Sequence, residues 1–178
     1  MAGQRPNDVE QRARFDALFD QHYAEVRAYV ARRGTAAIVD DVVSETFLVA
    51  WRRIDAVPVD GLPWLLGVAR RVLANQRRAD ARRGALLGLL AGMLPRAPIT
   101  EPASEVFGEL GAAIATLSER DREALLLVAW EGLDPQRAAR VVGCAPDTFR
   151  ARLYRARRQL VARLRPAPDG ERLPQEAR

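Results

Sequence analysis

Apolar residues in this chain recur at helical spacing almost from end to end, and no stretch shows the strict alternation of a half-buried strand. That pattern predicts an all-α protein. Residues 11–31 place Phe15, Leu18, Phe19, Val26 and Val30 on one side of a helix or helix pair. Residues 37–53 carry a second stripe of Val43, Phe47, Ala50 and Trp51, continued by Ile54. The stretch DAVPVDGLP (55–63) interrupts the pattern with two prolines and a glycine and reads as a loop. A long helix is expected from Pro63 to Arg83.

The clearest boundary follows. Residues 84–104 (GALLGLLAGMLPRAPITEPAS) hold three glycines and three prolines and read as an interdomain linker with an apolar beginning. Beyond it, EVFGELGAAIATL, SERDREALLLVAW, DPQRAARVVG and PDTFRARLYRARRQL are helical in pattern. Ser118 with Asp121 has the form of a capping box, and Pro135 behind Asp134 suits the first helical position after an N-cap. The expected organisation is two small helical domains, 12–83 and 105–165, joined by the linker 84–104. Residues 1–11 are expected to be a flexible N-terminus, and 166–178, polar and proline-rich, a flexible tail. Trp51, Trp64 and Trp130 are expected in the cores.

An apolar content of 48% supplies enough material for such cores and excludes a disordered chain. The segment AGQRPNDVEQR after Met1 has no apolar stretch of the kind a signal peptide needs, and the apolar run 84–94 is too short to cross a bilayer. A cytoplasmic protein with no membrane insertion is therefore expected. The lone Cys144 excludes an internal disulfide, and with the lone His22 it leaves no Cys/His metal site. With no Gly-rich phosphate loop and no nucleophile motif either, no enzyme activity, cofactor or metal is expected.

Charge is spread unevenly. All 28 basic residues are arginine. Residues 1–83 carry 14 Arg against 11 acids, 84–133 carry 3 against 7, and 134–165 carry 9 against 2. A basic segment at each end thus flanks an acidic middle. Clustered arginine is the footprint of a polyanion partner, because each phosphate contact releases condensed counterions.

The most basic segment also has the spacing of a helix-turn-helix. Ala139 is small where two helices would cross, and Gly143, four positions later, tolerates the positive φ of the turn. Pro146 and Asp147 open a second helix, whose core face is Phe149, Leu153, Ala156, Leu160 and Leu164. Arg150, Ala151, Tyr154 and Arg155 fall on another face, near the end that enters a major groove.

LSERDREALLLVAWEGLDPQRAARVVGCAPDTFRARLYRARRQL resembles region 4 of bacterial sigma factors of the extracytoplasmic-function group. DDVVSETFLVAWRR followed by WLLGVARRVLANQRR resembles region 2 of the same group, and the two occur in the family's order over about residues 12–165. The resemblance implies a transcription initiation factor that binds core RNA polymerase and directs it to promoter DNA through the minus-10 and minus-35 elements. Region 2 would dock on the β′ clamp helices through the 37–53 helix, whose outward face carries Asp41, Ser44, Glu45, Leu48 and Arg52; region 4 would meet the β flap. Ser44 stands where the family usually has Gln. The minus-10 candidates are the loop 55–63 and Arg70, Arg71, Asn75, Arg77 and Arg78, with Arg71 replacing the family's common Asn. For the minus-35 duplex, Arg150, Ala151, Tyr154 and Arg155 would contact bases. Arg152, Arg157 and Arg158 would contact phosphates. An arginine fork bonds guanine O6 and N7 together, which lysine cannot do.

The family is commonly held inactive by an anti-sigma factor, so one is expected here. The alternative reading is a helix-turn-helix regulator that does not bind core polymerase, which leaves the 37–53 motif without a purpose. The linker is too apolar for a freely solvated tether. It is expected to pack in the absence of polymerase, giving a compact form that blocks the spread arrangement two promoter elements require.

Overall fold

A computed structural model of the chain describes residues 6–91 and 103–164. Seven α-helices occur among them, with no strand: α1 (Pro6–Ala31), α2 (Val39–Arg52), α3 (Gly61–Ala91), α4 (Ala103–Ala115, interrupted at Gly108), α5 (Glu119–Ala129), α6 (Pro135–Val142) and α7 (Pro146–Leu164). Part of the expected N-terminus, linker residues 92–102 and the tail 166–178 lie outside the described residues.

Helices α1, α2 and α3 pack on one another in the first half, and α4, α5 and α6 pack on α7 or each other in the second. The first core gathers Val26, Tyr29, Val30, Val43, Phe47, Ala50, Leu65 and Leu66 under those three helices; Phe15, Leu18 and Phe19 are half-buried against it. Asp40 and Asp41 in the first turn of α2 and Arg52 in its last complement the helix dipole. In the second half, Leu127, Leu133, Ala139, Phe149, Leu153 and Ala156 form the centre.

The capping chemistry explains where the helices start and stop. The Ser118 hydroxyl accepts from the Asp121 amide at 3.2 Å, and the Asp134 carboxylate accepts from the amides of Gln136 and Arg137 at 2.8 and 2.9 Å. Gly143 closes α6 at φ 68°, the left-handed conformation that lacks a Cβ penalty only in glycine. The crossing residue Ala139 is buried.

Four expectations need correction. Helix α3 starts at Gly61 rather than Pro63, because a proline is tolerated within the first turn, where its missing N–H would have had no partner. It then continues to Ala91 instead of ending at Arg83. An interior glycine weakens a helix by about 1 kcal/mol relative to alanine without ending it, and the first proline after Arg83 is Pro95. Trp51 is 43% exposed. It occupies the last turn of α2, where the edge of Phe15 covers one side at 5.2 Å, while Trp64 and Trp130 are half-buried. Leu164 is exposed, and Leu160 half-buried, because α7 outruns the helices it packs on.

The two halves are not separate bodies on a string. Their buried residues form one continuous apolar cluster, and α6 lies along α3. The backbones come close at Gly67 on α3, where an added Cβ would stand 3.4 Å from the Val141 carbonyl oxygen on α6, an ordinary van der Waals contact.

Candidate nucleic-acid interface

Three surfaces carry the residues singled out from the sequence. On α2, packing of Val42, Val43, Thr46, Phe47 and Ala50 inward forces Asp41, Ser44, Glu45, Leu48 and Arg52 outward, and all five are exposed. Among the described residues neither Asp41 nor Glu45 has an ion-pair partner, so both carboxylates are available to a basic surface. Leu48, 45% exposed, gives this charged stripe an apolar centre.

On α3, Arg71, Asn75, Arg77 and Arg78 are exposed and Arg70 is half-buried. Their geometry is less open than the spacing implied. Arg71 bends back along its own helix to donate to the Gly67 carbonyl at 3.1 Å; Arg77 donates to the Arg33 carbonyl at 2.6 Å and Arg78 to the Asn75 side chain at 2.5 Å. Arg70, Arg77 and Arg78 line a cleft of about 320 Å³ whose far wall is α5, with Arg120 and Glu123. Arg71 is not among the residues lining that cleft.

On α7, the core face of Phe149, Leu153 and Ala156 turns the opposite side to solvent. Arg150, Ala151, Tyr154, Arg155, Arg157 and Arg158 are exposed there, Tyr154 to 67%, and Arg152 is half-buried. Arg150 pairs with Asp147 at 2.5 Å and Arg155 with Asp121 at 3.4 Å. Asp121 is buried in α5, so the second half of the capping box is replaced: its carboxylate serves Arg155.

The pattern matches a known architecture. Residues 18–83 match the family model for Sigma-70 region 2, and residues 107–160 match that for Sigma-70, region 4. The chain belongs to the extracytoplasmic-function RNA polymerase sigma factors. This sigma factor is 36% identical to the ECF RNA polymerase sigma factor EcfG of Rhodopseudomonas palustris, over 84% of its own length and 86% of that protein's. It is 34% identical to the ECF RNA polymerase sigma factor SigC of Mycobacterium tuberculosis, over 85% and 83%. Among solved structures, the sigma factor RpoE of Bartonella quintana, in complex with the anti-sigma factor NepR, superposes with a TM-score of 0.61 at 25% identity, over 84% of this chain and 96% of that one. In the sigma factor described here, α1–α3 are thus region 2 and α4–α7 region 4. Among the described residues, no helix is long and apolar enough to cross a membrane.

Sequence reasoning missed the groups that hold the two regions of this sigma factor together. Tyr29 on α1 is buried and its hydroxyl donates to Glu123 on α5 at 3.0 Å. Burial pushes that hydroxyl's pKa above its ordinary value, and the Glu123 charge pushes it further. Arg33 donates to Glu123 at 3.2 Å and to Glu131 at 2.8 Å, with its guanidinium 3.8 Å from the Tyr29 ring centre; Arg32 also pairs with Glu131. A second contact joins Asp60, in the turn before α3, to Arg137 and Arg140 on α6. The available signal was the charge map: the acidic middle supplies Glu123 and Glu131 to arginines of the first basic segment.

Proposed function

We propose that this sigma factor binds core RNA polymerase through the outward face of α2 and directs it to promoters, with region 2 engaging the minus-10 element and α7 reading the minus-35 duplex. The observation that carries this reading is the clear exposure of two faces at once: Asp41 and Glu45 of α2 beside Leu48, unpaired among the described residues, and the arginine–tyrosine stripe of α7. Carboxylates suit a basic partner such as the β′ clamp helices, and the α7 stripe presents forks for guanine at its start and charge for phosphates further along. Region 4 meets the β flap in the same assembly. The solved relative bound to an anti-sigma factor supports such a partner here as well.

The test is co-elution of the purified chain with core polymerase, followed by mapping of transcription start sites in vitro. Core binding with defined starts is expected. A chain that binds duplex DNA but not core enzyme is a helix-turn-helix regulator instead. Asp41→Arg with Glu45→Arg separates the docking face from the fold: core affinity falls while the protein stays folded, since both side chains are exposed and the lost dipole interaction of Asp41 costs only about 1 kcal/mol. Unchanged core affinity in that variant rules out α2 as the docking face.

A further inference from the structure

The contact between Asp60 and α6 has a chemistry that the packing of the two regions does not require. Asp60 uses both carboxylate oxygens. Arg137 reaches them as a fork, Nη2 to Oδ1 at 2.7 Å and Nε to Oδ2 at 3.0 Å, and Arg140 Nη2 adds a bond to Oδ2 at 2.7 Å. A fork on two oxygens of one anion is the geometry with which arginine also grips a phosphate. Arg137 and Arg140 lie three residues apart on the first helix of the helix-turn-helix, which in this motif crosses the DNA backbone. The one carboxylate at the start of α6, Asp134, is committed to the backbone amides of Gln136 and Arg137. The anion that satisfies the fork therefore comes from 77 and 80 residues away, in the other region.

Exposure separates this contact from the other bridge. The Arg33–Glu131 pair has side chains 7% and 5% exposed, whereas Asp60 is 36%, Arg137 33% and Arg140 52% exposed. Water, salt and a competing anion can reach the Asp60 contact without disturbing a core.

We propose that Arg137 and Arg140 are a phosphate-binding pair of region 4, and that in the closed molecule Asp60 occupies this pair in place of a DNA phosphate. The proposal rests on the reading of region 4 as a duplex-binding module. Its consequence is linkage: a phosphate and Asp60 exclude each other, so duplex binding draws region 4 off region 2, and closure lowers duplex affinity by the same factor. The gate acts without touching Arg150 or Arg155.

The experiment uses the full chain and a fluorescein-labelled mixed-sequence duplex of about 20 base pairs, two helical turns. Anisotropy gives affinity. Energy transfer between dyes on Asp20→Cys (α1) and Gln159→Cys (α7), in a Cys144→Ser background, gives closure. Asp60→Asn is expected to bind duplex about 3- to 10-fold more tightly at low salt, the range two solvent-exposed ion pairs support, with lower energy transfer and an advantage that narrows as salt rises. Asp16→Asn makes the same change of net charge on an exposed carboxylate of α1 that pairs with Arg12; it should shift affinity less than about 2-fold. Arg140→Ala is expected to lower energy transfer yet bind duplex more weakly, which separates opening from phosphate binding. Equal duplex affinity in the parent and Asp60→Asn overturns the proposal, as does energy transfer in the parent that duplex leaves unchanged. If neither protein binds duplex at low salt, the DNA reading of region 4 falls and takes the proposal with it.

Discussion

The two regions present their arginines differently. In region 4, the α7 stripe stands clear of region 2, and its ion-pair partners, Asp147 and Asp121, belong to region 4 itself. In region 2, Arg70, Arg77 and Arg78 face a cleft walled by α5 of the other region, and Arg77 donates to the Arg33 carbonyl in the turn after α1. Closure therefore places three minus-10 candidates in a cleft between the regions, while the minus-35 candidates lie on a face outside that cleft. Under the proposed function, α7 is open to a duplex in the closed molecule, whereas Arg70, Arg77 and Arg78 gain full access to a strand when the regions part.

The comparison breaks most completely if one region is unfolded alone. Leu153→Asp places a charge at a 6% exposed site in the region 4 core, costs about 4 kcal/mol or more, and is expected to abolish duplex binding. Thermal unfolding followed by circular dichroism, with duplex anisotropy alongside, checks both effects; duplex affinity retained in this variant places the reading surface elsewhere.

Next in size is Glu131→Ala, which strips Arg32 and Arg33 of a partner that is 5% exposed. Breaking a buried pair from one side costs about 3 kcal/mol, expressed as loss of closure. The minus-10 face should then gain access to single-stranded DNA, while duplex affinity rises only by about the 3- to 10-fold that freeing Arg137 and Arg140 from Asp60 allows. Chemical denaturation and single-strand binding measure the two sides, and equal gains for both DNA forms would refute the difference in coverage.

Within α7 the effects are smaller. Arg150→Ala or Arg155→Ala is expected to lose about 1–3 kcal/mol of duplex affinity and to relax preference at one or two base pairs. Arg157→Ala should weaken all sequences alike and reduce the salt slope by about one. A salt series across a panel of base substitutions distinguishes reading from holding, and uniform losses at Arg150 and Arg155 would make α7 a holder only.

The smallest effect is acid-dependent. The hydrogen bond from Arg137 is the main cause that holds the Asp60 carboxyl below its ordinary range, with the Arg137 and Arg140 charges adding to it. A carboxyl whose pKa is lowered by folding contributes fully above its unfolded value near pH 4 and ceases to contribute as pH falls through the lower, folded value. Energy transfer in the parent should therefore fall in that acidic window relative to Asp60→Asn, whose own baseline carries the titration of every other carboxylate. Parallel curves for the two proteins would show that Asp60 does not hold the closed form.

Much of this was legible in the residues. The apolar stripe of α2 placed Asp41, Ser44, Glu45, Leu48 and Arg52 outward, and the structure exposes all of them, because a helix with one buried face has no choice about the other. Asp134, Pro135 and Gly143 marked both ends of α6 by local chemistry that needs no distant partner. The errors came where local signals meet long-range packing. Trp51 and Leu164 continue their stripes in sequence, but each lies in the last turn of its helix, where covering helices have thinned or ended. Arg71, a minus-10 candidate that replaces the family's common Asn, turns its guanidinium back to the Gly67 carbonyl, a contact its position in the sequence did not announce.

By itself, then, the sequence determined the helical class, the division into regions 2 and 4, the caps, and the buried and exposed faces of α2 and α7, since each depends on residues within one or two turns of one another. The tertiary structure alone decided which carboxylates meet which arginines. Tyr29 and Arg33 bond Glu123 and Glu131 across about 90 to 100 positions, with no spacing that pairs them, and Asp60 reaches Arg137 across 77. Ionic groups choose partners by proximity in three dimensions, and that proximity is set by the packing of α6 on α3 and by the apolar cluster the two regions share.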